Sequence, residues 1–94
     1  MPCARDQDFI VWHDSRIKAE LSQFLDHAER KVCLECMDKH LTRAQAYAEE
    51  NLIFTGNTKY LKLARRIRDL RKLPDQQLLK MGAMNAKKIL EIGI

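Results

Sequence analysis

Cys33, Cys36 and His40 form a Cys-x2-Cys-x3-His cluster near the middle of a 94-residue chain. On a helix these three positions sit within roughly 60° of one another on successive turns. Thiolates separated by a two-residue gap can share a zinc ion, which prefers four nitrogen and sulfur ligands in a tetrahedron. For one ion to take all three residues, Cys33 must lie at or before a helix start, and Cys3, His27 or His13 is then the candidate fourth ligand. One paired motif is present where a full zinc signature has two. A metal-free reading competes: Met37, Ala44 and Tyr47 share the stripe, and cysteine is among the most buried residue types, so the same residues make a core face. A redox role for the cysteine pair is a third reading, without the strand–helix context that such a motif normally has.

A second group is basic. Lys59, Lys62, Arg65, Arg66, Arg68, Arg71 and Lys72 crowd into one segment, with Asp69 the single acid among them. On a helix, Lys62, Arg65, Arg68 and Lys72 project over a broad face opposite Leu63 and Ile67. Such a face can neutralise several phosphates of a nucleic acid and release their counterions. Alternatively, the long side chains solvate an outer face or complement acidic residues elsewhere. The net charge of +4 is polarised enough for either account: residues 1–57 carry 7 basic and 10 acidic side chains, and residues 58–94 carry 10 and 3. Paired carboxylates, a Gly-rich phosphate loop and a serine-nucleophile motif do not stand out from the surface charge, so a non-enzyme is expected. A small metal-dependent enzyme built on Cys33, Cys36 and His40 forms a further class.

These groups need elements to hold them. No Gly or Pro falls between Pro2 and Gly56, and β-sheet proteins need turn residues more often than that. Straight-chain residues dominate, which favours helix. Met1 to His13 lacks a helical period and reads as an irregular arm, with Asp14 or Ser15 as the cap of a first helix. Behind it Ile17, Leu21, Phe24, Leu25, Ala28 and Val32 form one stripe. The stripe through Cys36, His40 and Tyr47 is centred about 130° further round, so either the chain bends between Glu29 and Glu35 or one long helix packs against different neighbours along its length, the turn or kink being favoured. This second helix should fade near Glu50 and Asn51, with a loop over Phe54–Thr58. A third helix is predicted from Thr58 to Leu73 with Tyr60, Leu63, Ala64, Ile67 and Leu70 inward. Pro74 suits the first position of a fourth, where Leu78, Met81, Ile89 and Leu90 make apolar contacts and Gly93 caps the end.

The tail residues Gly82-x3-Ala86-x2-Ile89 resemble the second half of a helix–hairpin–helix motif over about a dozen residues. The resemblance implies main-chain N–H groups holding a nucleic-acid backbone. Leu79 and Lys80 stand where that motif has its Pro-Gly hairpin, and an ordinary helix with Gly82 at a close contact accounts for the same residues.

The expectation is therefore one all-α domain, a small bundle of three or four helices over residues 14–94 with an irregular arm over residues 1–13. No apolar run approaches the roughly 20 residues that span a bilayer, and the polar start is unlike a secretory signal. Three cysteines without such a signal suggest thiols in a reducing, cytoplasmic compartment. The leading functional expectation is a binding module contacting nucleic acid, or an assembly around it, through the basic helix. The alternative is a helical protein-interaction or regulatory subunit, zinc-stabilised or not, whose basic face meets an acidic protein, as a homo-oligomer or within a larger assembly.

Overall fold

The computed structural model describes residues 4–30 and 33–92, and every regular element among them is helical. The first two, α1 (Ala4–Arg30) and α2 (Leu34–Thr55), form an antiparallel hairpin, and α3 (Thr58–Arg71) folds back along α2. The chain then enters α4 (Asp75–Gln77), which continues through a π-helical turn (Leu78–Gly82) into α5 (Ala83–Ile92). The last rod lies against α1, and its π-turn also reaches α3. Among the described residues, no helix is long and apolar enough to cross a membrane.

The core follows the predicted stripes of α1 and α3, whereas that of α2 is rotated: Met37, Ala44 and Ala48 are buried together with Leu41, while Cys33 is exposed and Cys36, His40 and Tyr47 are half-buried. Ile17, Leu21, Phe24 and Ala28 of α1 meet Met37, Leu41, Ala44 and Ala48 of α2. Tyr60, Leu63, Ala64, Ile67 and Leu70 close the bundle from α3, and Leu78, Ala86 and Ile89 from the last rod. Each large buried side chain contributes on the order of 1.5–3 kcal/mol. Asn57 caps α3 by accepting the Lys59 N–H at 3.0 Å, and Gly56 ends α2 with φ 68°. The phase change near residue 32 is a break: α1 stops at Arg30, and Cys33 caps α2 in the left-handed region with φ 51°. Val32, Cys3 and Gly93 lie outside the described residues.

Several boundaries differ from expectation, each through contacts distant in sequence. The expected arm is helix from Ala4 onward, because Phe9 stacks on Phe54 with centroids 4.6 Å apart and His13 bonds Glu50. Asp14 is consequently not a cap, and its carboxylate faces Tyr60 and Asn51. Asn51 is fully buried, and α2 extends to Thr55 rather than fading there. α3 ends at Arg71 rather than Leu73, Pro74 stands just before the next helix, and Met81 is half exposed. No hairpin interrupts the tail. Gly82 is buried, and a Cβ there would sit 3.3 Å from Phe24 Cζ, a close helix contact.

Candidate functional site

The six basic residues of α3 and Lys72 at its C-cap are all exposed, because their backbone positions alternate with the buried Tyr60, Leu63, Ile67 and Leu70. The structure separates them into two sets. Arg71 reaches α2, where Nε donates to Asp38 Oδ1 at 3.4 Å and Nη1 to Gln45 Oε1 at 2.9 Å. Arg68 lies 4.0 Å from Asp69, its neighbour in sequence. Lys59, Lys62, Arg65, Arg66 and Lys72 make no ion pair among the described residues, although Lys59 Nζ sits 4.9 Å over the Tyr60 ring. Lys59, Lys62 and Arg66 rim a groove between α3 and α5, joined from the far side by Lys88. Its floor is apolar, formed by Leu63, Leu70, Leu73, Ile89 and Ile92. Arg65 and Arg68 occupy the opposite flank, in a shallow depression shared with Gln45, Glu49 and Leu61.

The cysteine cluster departs from its expected chemistry. Cys33 and Cys36 are joined in a disulfide rather than present as thiols. The left-handed backbone at Cys33 folds its side chain back over the first turn of α2, leaving the two Cα atoms 5.3 Å apart, within disulfide reach. His40 follows one turn beyond Cys36, but its Nδ1 is turned towards Glu20. Among the described residues no three His, Cys, Asp or Glu side chains gather to hold a metal. Zinc at Cys33, Cys36 and His40 requires both sulfurs as thiolates, so it is chemistry of the reduced chain alone.

Sequence reasoning missed a polar seam between α1 and α2. Glu20 is only 2% exposed, and its two oxygens accept from His40 Nδ1 at 2.6 Å and Arg16 Nη2 at 3.4 Å. His27 donates from Nδ1 to the Gln23 carbonyl at 2.8 Å and stands 5.1 Å from the His40 ring. Further along, buried His13 donates from Nδ1 to the Phe9 carbonyl at 2.8 Å, and its Nε2 meets Glu50 Oε2 at 2.5 Å. At the end of the seam, Tyr60 donates to Asp14 Oδ1 at 2.8 Å, and Asn51 Nδ2 donates to the same oxygen at 3.1 Å. Burial, then the hydrogen bond and charge of Asp14, push the Tyr60 hydroxyl up to about 12, against a smaller opposing effect of Asn51. No serine, threonine or cysteine bonds either His13 or His40 among the described residues. The period of α1 gives no hint of these pairs, which join residues 20 to 46 apart.

Compared with protein-family models, with curated proteins and with solved structures, the chain finds no match.

Proposed function

We propose that this protein is a non-enzymatic binding module that contacts nucleic acid through the outer face of α3. The observation carrying the reading is that Lys59, Lys62, Arg65, Arg66 and Lys72 are exposed on one helix and unpaired among the described residues. Cations held on a helix and not neutralised by the fold are free to replace counterions on phosphate. Five such contacts would give a salt slope of about −4.5 on B-DNA. The test is anisotropy of labelled duplex and single-stranded oligonucleotides at two or more salt concentrations. Arg65→Ala and Arg66→Ala should each weaken binding and flatten the slope by about one unit, similarly across sequences. Arg71→Ala, which removes the α2 contact, should leave the slope unchanged. No binding by the wild type at low salt ends this reading.

A second reading rests on the α3–α5 groove. An apolar floor beneath Lys59, Lys62, Arg66 and Lys88 suits an acidic amphipathic helix better than it suits a phosphate backbone. Ile92→Glu, at an exposed position on the groove floor, would abolish such protein binding while leaving contacts at Arg65 and Lys72 intact.

A further inference from the structure

We propose that Cys33 and Cys36 are a reversible dithiol–disulfide couple in which Cys33 exchanges with an external thiol of the glutathione class. The two sulfurs are bonded at the N-terminal turn of α2, so the bond ties no second helix to it. Cys33 is exposed and Cys36 half-buried, which directs an incoming thiolate to Cys33 Sγ. Cys33 is also the N-cap of a 22-residue helix, and its Sγ accepts the Cys36 N–H at 3.2 Å. A thiolate released at that position keeps a charge-assisted hydrogen bond and faces the positive end of the helix, the setting that activates cysteines elsewhere.

The exchange balances in two steps. The external thiolate attacks Cys33 Sγ, the Cys33–Cys36 bond breaks, and Cys36 leaves as a thiolate that takes the proton shed by the incoming thiol. A second external thiol, as its thiolate, attacks the external sulfur of the mixed disulfide and expels Cys33 as a thiolate, leaving one external disulfide. Two electrons pass from two external thiols to the protein, and the reverse sequence reoxidises the pair. The inference is independent of the nucleic-acid reading of α3.

The test uses the full chain carrying Cys3→Ser, equilibrated across glutathione buffers and trapped with a mass-tagging alkylating agent. Cys33 and Cys36 are expected to interconvert as one two-electron pair. In that background Cys36→Ser should accumulate a glutathione adduct on Cys33 on the order of tenfold faster than Cys33→Ser does on Cys36. A pair that stays wholly oxidised or wholly reduced across the buffers overturns the couple, whatever the variants do. Equal adduct rates in two variants of wild-type helicity overturn the assignment of Cys33.

Discussion

Tyr60→Phe removes one oxygen from a buried hydrogen-bond donor at the centre of the bundle. Tyr60 is 1% exposed, and its hydroxyl donates to Asp14 Oδ1 at 2.8 Å. Phenylalanine keeps the ring and its packing, so the loss is that of one hydrogen bond to a charged acceptor, about 2 kcal/mol. Asp14 keeps the Asn51 donor at 3.1 Å, which limits the damage to that figure. For a domain of this length the melting temperature should fall by roughly 8–16 °C. The pH dependence adds a sharper test. The hydroxyl is pushed from its ordinary 10.0 to about 12, so its contribution is complete below pH 10 and is lost as pH rises through 12. Between pH 8 and pH 11 the stability difference between wild type and Tyr60→Phe should shrink by about 1.4 kcal/mol. Urea denaturation of both proteins across that range measures it, and the subtraction cancels lysine titration common to the two. A difference that stays constant to pH 11 would refute the account of the hydroxyl as a buried donor to Asp14.

Three further outcomes follow from single contacts. Glu20→Ala leaves the His40 Nδ1–H without its acceptor and should cost about 2–3 kcal/mol in urea denaturation; an unchanged midpoint would show the pair to be idle. Gly56→Ala meets open space but must hold φ 68°, so a loss of about 1 kcal/mol is expected, read from the thermal midpoint. Gly82→Ala gains about 1 kcal/mol of helix propensity but places a Cβ 3.0 Å from Leu78 Cδ1 and 3.3 Å from Phe24, and the roughly 1–3 kcal/mol of overpacking should win. A stabilised Gly82→Ala protein would mean that Phe24 and Leu78 yield freely.

What could be read from the sequence was what is local and periodic. The α3 stripe lies within one segment, and all five predicted inward residues are buried. The break near residue 32 was legible as a change of phase, although no glycine announces the left-handed turn that Cys33 makes. The N-terminal turns of α1 were illegible because their support is remote: Phe9 needs Phe54, and Ile10 needs Asn51, 41 residues away. Asp14 illustrates the same limit. Its type and position suit a cap, but once helix extends past it, the carboxylate serves the Tyr60–Asn51 network. For the candidate site, the basic face was visible as a pattern, whereas the pairing of each cation depends on where α2 and α5 come to lie. The disulfide was invisible for a further reason, since spacing alone does not distinguish two thiols from a bonded pair.

The opposed charges of the two halves look, in sequence, like partners. In the fold most acids of α1 and α2 with a bonded partner find it within the hairpin. Glu20 serves His40 and Arg16, Glu50 serves His13, Asp26 pairs with Arg30 at 3.3 Å, and Asp14 serves Tyr60 and Asn51. Among the described residues the only ion pairs that reach across to the basic half are Asp38 with Arg71 and Glu29 with Lys87, and both are surface contacts worth at most about 1 kcal/mol. Apart from Asp14, which takes the Tyr60 hydroxyl, and Asp38, which takes Arg71, the bonded carboxylates of the hairpin do not draw on α3, and the unpaired cations of α3 gain little from the bundle that carries them. Truncating Lys62, Arg65 or Arg66 should accordingly leave the thermal midpoint nearly unchanged. Any binding lost with them then reports the surface itself rather than the stability of the fold.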